Sequence, residues 1–269
     1  MKKLLVIILV ASIELVAVEF IGIIKPIHNV KISVPLDGVV QKLYVKEGSF
    51  VKKNTKILKL DDRLQRLELE RRRVIWKDKA QLQAAIKNKK IQKSLLDSTE
   101  ALYQQSRAVS EQELQLLKSK YHILNGEIKM REENEKKEKI EYSIANSLLS
   151  KYTITSPITG IVTEVNLEEG EWAKVGEASV RVVNVNTCFI DINIEEKYSS
   201  TLKVGNKINF NVQTNNVSAK KRGKITFISP VADMASGLVR IKIEFSNIKN
   251  RITPGLSARI NIDSFSDNK

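Results

Sequence analysis

The sequence predicts an α+β fold that is mostly β: a small β domain split in two by an inserted antiparallel α-helical hairpin, then a β-barrel domain. Three observations predict it. A short β pattern occurs twice, from Val34 to Leu60 and from Ser156 to Val183. Pro35, Gly38, Val40, Glu47 and Gly48 recur as Pro157, Gly160, Val162, Glu169 and Gly170, at a constant offset of 122 residues. The stretch between the copies, 61–151, holds no proline and one glycine, Gly126, and is rich in Leu, Lys, Glu, Gln and Arg, all good helix formers. From Thr187 onward, apolar residues alternate in short runs separated by turns, which is the strand signal.

The N-terminus starts Met1-Lys2-Lys3, continues with an apolar run from Leu4 to Ser12, and is then interrupted by Glu14 and Glu19. A spanning helix needs about 20 predominantly apolar residues. The run is shorter than that, so residues 1–17 read as a signal peptide, with a membrane anchor as the alternative. Either reading puts the rest of the chain across a membrane from the cytoplasm. Residues 18–33 are expected to form an N-terminal strand that joins the barrel.

Each β unit is too short to bury a core alone, so halves 34–60 and 152–185 are expected to fold on each other. Gly38, Gly48, Gly160 and Gly170 are read as the turn residues of this domain. The hairpin, 61–151, divides at Ser110, followed three residues later by Glu113, the pattern of a capping box. One helix is expected from about Asp62 to Gln105 and a second from Glu111 to about Ser150. The second carries a heptad seam: Leu114, Leu117, Tyr121, Leu124, Ile128, then Arg131, Glu135, Glu138, then Tyr142, Ala145, Leu149. The first is less regular, with Ile75, Leu82, Leu96 and Tyr103 on one seam and Lys89 interrupting it. Residues 186–264 are expected to form the barrel, with turn glycines Gly205 and Gly255, a polar loop from Asn215 to Arg222, and a tail at 265–269.

A hydrophobic content of 42% and a charged content of 28% belong to a folded chain. The net charge of +14 suits an anionic partner. The cations, however, are spread along the chain among glutamates, and no aromatic residues interleave a basic cluster, which argues against nucleic acid. Cys188 stands alone in an apolar strand and reads as a buried thiol. His28 and His122 lie far apart, and Met1, Met130 and Met234 do not cluster, so no metal site, catalytic group or cofactor is expected. Asp61-Asp62 reads as a helix start, and Glu132-Glu133 and Glu168-Glu169 as solvated charge.

The order of half domain, helical hairpin, half domain and barrel, over roughly Phe20 to Ile262, resembles the membrane fusion protein family, the haemolysin-D-like periplasmic adaptors of tripartite efflux and secretion systems, including RND transporters. In that family the split domain is lipoyl-like. Leu202-Lys203-Val204-Gly205 and Ile252-Thr253-Pro254-Gly255-Leu256 are similar to two turns of its barrel, and Gly223-Lys224-Ile225 with Ile228-Ser229-Pro230 to its middle strand. The resemblance implies a non-enzymatic adaptor in the periplasm, associated with the inner membrane. It would assemble as a homo-oligomeric ring or funnel and bridge an inner-membrane transporter to a TolC-type outer-membrane channel. A proton-driven RND pump is slightly favoured, and an ABC or type I secretion exporter is the alternative. Docking through the hairpin tip would involve Tyr103, Ser106, Arg107 and Ser110. The pump branch carries Arg, Leu and Ser at set spacing on the tip. Here Ser110 matches, while Thr99 and Tyr103 stand at the other two positions. The chain ends soon after the last barrel strand, the pattern of a minimal adaptor. Carrier domains of lipoyl or biotinyl type show a modifiable lysine where this chain launches its hairpin. Lys59 lies just before that point and reads as an exposed strand residue, so no such attachment is expected. Two readings of other classes are a lipoyl-type carrier and a free-standing coiled-coil scaffold.

Overall fold

The computed structural model describes residues 19–213, 218–248 and 252–261. The expected signal peptide, 1–17, and tail, 265–269, lie outside the described residues. In chain order the elements are β1 (Glu19–Ser33), β2 (Gly38–Leu43), β3 (Phe50–Val51), β4 (Lys56–Leu60), α1 (Arg63–Lys77), α2 (Ala80–Ser106) and α3 (Glu111–Ser150). They continue with β5 (Thr153–Thr155), β6 (Gly160–Val165), β7 (Trp172–Ala173), β8 (Ala178–Glu195), α4 (Glu196–Ser199), β9 (Lys207–Gln213), β10 (Ser218–Ile228), β11 (Leu238–Ser246) and β12 (Ser257–Asn261).

Six strands close a barrel in the order β1-β12-β9-β10-β11-β8, sealed by β1 pairing with β8. Closure removes the unpaired edges that an open sheet would present. Alternation along each strand sends Ile24, Ile190, Ile208, Phe210, Ile225, Ile243 and Ile260 into one core. Cys188 is fully buried there, and burial raises its thiol pKa while the Asn247 amide pulls the other way. On the outside, Asp191 of β8 ties three strands together. It accepts Arg240 Nε and Nη2 from β11 at 2.6 and 2.7 Å, and Lys25 Nζ from β1 at 2.7 Å. The polar loop expected from Asn215 to Arg222 is a strand from Ser218 onward. Lys220 and Arg222 sit on its exposed face, since a barrel strand tolerates polar residues on alternate positions.

The doubled motif builds a sandwich of two sheets, β1-β8-β6-β3 and β5-β4-β2-β7. The offset of 122 residues that relates the sequence copies also relates the sheets: β2 to β6, β3 to β7, and β4 and β5 to the sandwich ends of β8 and β1. The halves exchange strands. Phe50 of the first half pairs with Ile161 of the second, and Trp172 of the second with Val39 of the first. Each sheet is therefore completed by the other half, and Ile57, Leu58, Leu60, Val162, Val180 and Val182 share one core. Burying such a side chain is worth about 1.5–3 kcal/mol, and neither half could do it unaided. β1 and β8 run without interruption from this sandwich into the barrel.

Candidate functional site: the hairpin and its root

The hairpin is held by one narrow seam. In α3, Leu114 and Ile128 are buried, and Leu117, Tyr121, Leu124, Arg131, Glu135, Glu138, Tyr142, Ala145 and Leu149 are half-buried; the residues between them are exposed apart from Lys118 and Glu127. A strict three-four spacing leaves one stripe facing the partner helix. Part of the charged stretch of that stripe is bridged to the first arm. Glu135 pairs with Lys79 and Arg131 donates to Gln81, and beside the stripe Glu141 pairs with Arg72. Lys118 meets Glu100 at 2.9 Å nearer the tip.

The first arm is not the single helix expected from Asp62 to Gln105. It breaks between α1 and α2 at Asp78-Lys79, where Asp78 Oδ1 accepts the Ala80 N–H at 3.0 Å. A short acidic side chain that takes a nearby backbone donor competes with the helix ladder. The seam also resets there. Trp76, Lys79, Leu82 and Ala85 follow three consecutive steps of three, after which Lys89, Gln92, Leu96, Thr99 and Tyr103 resume alternation. Extra three-residue steps overwind a helix pair, and the break relieves this. The residue on the seam is therefore Trp76, stacked on Tyr142 with ring centroids 5.1 Å apart, and not Ile75, which is exposed. Lys89 lies on the seam rather than interrupting it, donating to Asn125 at 2.6 Å with its ammonium over the Tyr121 ring.

At the tip, Ser106 Oγ donates to Leu102 O at 3.1 Å, and Arg107 ends α2 in a left-handed conformation (φ 52°) with its N–H on Tyr103 O. Ser110 Oγ accepts the Glu113 N–H at 3.2 Å, so it caps α3. Of the expected capping box, this half is formed among the described residues. Tyr103 is half-buried on the seam, and Ser106, Arg107 and Ser110 are exposed at the turn.

At the root, Lys59 is not exposed. Its Nζ lies 3.1 Å from the carboxylate of Asp62, which is buried and also accepts Arg66 Nε at 2.9 Å. Burial raises the Asp62 pKa, but hydrogen bonds from Arg66 and Lys59 outweigh it and hold the value down. Asp61 instead receives the Arg63 N–H and guanidinium.

Two glutamates expected to be solvated or unassigned have a structural task. Glu47 Oε1 accepts the Val165 N–H at 3.3 Å, and Glu169 Oε1 accepts the Leu43 N–H at 2.8 Å. Each carboxylate ties down a strand of the opposite half, and each follows the same rule under the 122-residue offset. The Glu-Gly pairs could have signalled this, because a charged residue repeated in both copies invites a shared partner. Gly48 and Gly170 adopt φ of 82° and 90°, and their N–H groups donate to Val162 O and Val40 O, each at 2.8 Å. Gly205 N–H donates to Ile225 O, and Gly255 N–H to Ile24 O, tying barrel turns to strands. Gly38 and Gly160 are not turn residues of this kind; they open β2 and β6.

Among the described residues, no group of three His, Cys, Asp or Glu side chains comes together, and no helix is long and apolar enough to cross a membrane. Residues 28–185 match the family model described as the barrel-sandwich hybrid domain of RND membrane fusion proteins, and residues 187–266 match one described as a CusB-like β-barrel domain. The membrane fusion protein MtrC of Neisseria gonorrhoeae is 22% identical over 260 residues, covering 91% of this chain and 60% of that protein. A Haemophilus influenzae protein is 22% identical over 242 residues, covering 90% of this chain and 56% of its own length. The chain thus spans under two thirds of the curated relatives it matches. The crystal structure of MacA from Actinobacillus actinomycetemcomitans is similar with a TM-score of 0.78 at 25% identity, covering 91% of this chain and 78% of that one.

Proposed function

The chain belongs to the membrane fusion protein family, and from that premise we propose that it is a periplasmic adaptor that links an inner-membrane transporter to a TolC-type outer-membrane channel. The observation that carries this reading is the hairpin. Its α3 arm has 40 residues, about 60 Å of helix, standing on a rigid sandwich and ending in a tip whose polar side chains face solvent. A rod with so narrow a seam gains little from its own two-helix contact. Its use is reach, and its remaining surface is available to neighbours. Tyr103, Ser106, Arg107 and Ser110 are the proposed channel contacts. Arg107, exposed and unable to lose its charge, supplies charge-assisted hydrogen bonds.

Self-assembly into a ring or funnel belongs to the same reading. Off the seam, α1 exposes Leu64, Leu67 and Val74, and α3 exposes Ile140, Ile144 and Leu148. Both sets repeat at helical spacing, which is the pattern of a second stripe that packs laterally. The RND class is the proposed transporter, on the strength of the matching barrel-sandwich hybrid model. The inner-membrane face of the periplasm is the proposed location.

The test is crosslinking in intact cells followed by affinity purification of the full chain. Recovery of a transporter and an outer-membrane channel, with the channel alone lost on deleting residues 103–110, is the expected outcome. Recovery of an ABC exporter in place of an RND pump would reassign the transporter. Recovery of neither membrane partner would overturn the adaptor reading.

A further inference from the structure

The two sequence copies that build the sandwich have diverged in charge at one matched place. The turn 46–53 carries Lys46, Lys52 and Lys53 against Glu47; its counterpart at 168–175 carries Glu168, Glu169 and Glu171 against Lys174. At the same matched position each turn presents a large aromatic residue to solvent, Phe50 at 60% exposure and Trp172 at 57%. The next residues, Val51 and Ala173, are buried in the shared core. Successive strand side chains point to opposite faces, so both aromatics point away from that core. Phe50 belongs to the β1-β8-β6-β3 sheet and Trp172 to the β5-β4-β2-β7 sheet. The aromatics therefore stand on opposite outer faces of one sandwich.

The two faces differ in shape because the hairpin leaves from one of them. Beside Trp172, the root of α1 leans over the sheet and leaves an open groove of about 530 Å³, lined by Val39, Leu64, Tyr152 and Trp172 with Asp37 and Asp61 at its rim. Asp61 is engaged by Arg63, and Asp37 accepts the Val175 N–H at 2.6 Å, which fixes the acidic turn against the sheet. On the Phe50 face, β8 carries on into the barrel where β4 gives way to the hairpin.

We propose that these faces dock on each other between copies of the chain: Phe50 of one copy, on the lysine-bearing turn, seats in the Trp172 groove beside the acidic turn of the next. The inference rests on the multi-copy adaptor reading and deepens it by naming the contact. An exposed aromatic anchor entering an apolar groove is the usual hot-spot arrangement, and opposite rim charges set orientation and rate of encounter. Because donor and acceptor faces lie on opposite sides of one sandwich, the contact is heterologous. Each copy gives with one face and receives with the other, which generates a ring when the rotation closes.

Two experiments on the full chain test the proposal. The first places cysteines at the rims, Lys53→Cys together with Glu168→Cys, with Cys188 buried in the barrel core. Oxidation of the assembled protein is expected to give a ladder of dimers, trimers and higher species on a non-reducing gel, and either single variant is expected to give none. The second exchanges charge. Lys52→Glu/Lys53→Glu and Glu168→Lys/Glu171→Lys, all at exposed positions, are each expected to weaken self-association roughly tenfold or more, and all four changes in one chain are expected to restore it. Assembly of normal size with no ladder and no rescue would overturn this contact and leave the adaptor ring standing. A chain that stays monomeric at every concentration, and when crosslinked beside its channel, would remove the ring and this contact together.

Discussion

Gly38 and Gly160 occupy matched positions in the two copies, and replacing each by alanine tests whether the sandwich is built as described. A Cβ on Gly160 would lie 2.4 Å from the Val183 carbonyl oxygen, 2.7 Å from its carbon and 3.1 Å from Val182 Cγ1. The first two are backbone atoms of β8 at the point where that strand leaves the sandwich for the barrel, so they cannot turn aside as a side chain would. A Cβ on Gly38 would meet nothing nearer than Leu60 Cδ1 at 3.6 Å, an ordinary contact. Gly38 is also absent from the positive-φ glycines, so alanine fits its backbone. Forced overpacking costs about 1–3 kcal/mol and sometimes more, and a clash with backbone belongs at the top of that range. At Gly38 the loss of unfolded-state freedom favours alanine by about 0.4–1 kcal/mol. In calorimetry, Gly160→Ala should lower the transition that contains the sandwich by roughly 10–20 °C, while Gly38→Ala leaves it in place or raises it by a few degrees. Equal shifts, or a larger loss at Gly38, would refute the claim that β8's continuation into the barrel distinguishes the two copies.

Acid should weaken the barrel through Asp191, whose pKa is lowered to about 2, first by hydrogen bonds from Arg240 and, against opposing burial, also by Lys25. A depressed pKa gives stability that is complete above the ordinary carboxylate value near 4 and lost as pH falls towards 2. Asp191→Asn should flatten that limb of a stability-against-pH curve measured in urea, and an unchanged limb would count against the three-strand tie. Ser110→Ala should cost about 1 kcal/mol of local helix stability, read as faster hydrogen exchange at residues 111–114. Ser110→Asp, which keeps a capping oxygen, should restore protection, and if Asp fails to do so the capping role is wrong. Leu67→Glu and Ile144→Glu, both at exposed positions, should each reduce the oligomer seen by light scattering while leaving the unfolding free energy within about 0.5 kcal/mol of the parent. Retention of the full oligomer would show that the outer stripes do not pack on neighbours.

Much of this architecture was legible from local pattern. Period-two alternation, turn glycines and a proline-free stretch of helix formers depend on which face of one element is buried, and nearby residues carry that information. The seam of α3 is the plainest case, since spacing alone named Leu114 through Leu149. Legibility failed where one element's shape depends on another. Asp78 breaks the first arm by taking the Ala80 N–H and resetting the seam onto Trp76, and propensity for this stretch reads as uninterrupted helix. Lys59 reads as an exposed strand lysine until Asp62 is seen buried beside it. Ser218 to Arg222 reads as a loop by polarity, yet its backbone is held by β9.

The sequence by itself determined that one small β unit is present twice, that a helical hairpin separates the copies, and that alternating strands follow. Tertiary structure alone decided how the copies use each other. A repeat states which residues face a core, but not whether Phe50 pairs within its own half or with Ile161, because ladder hydrogen bonds between segments over a hundred residues apart leave no local trace. The exchange of β3 and β7, the reach of Glu47 and Glu169 into the opposite half, and the crowding at Gly160 but not at Gly38 all follow from where the chain goes next. After β4 it turns into the hairpin, and along β8 it runs on into the barrel. Matched motifs with different continuations thus meet different neighbours.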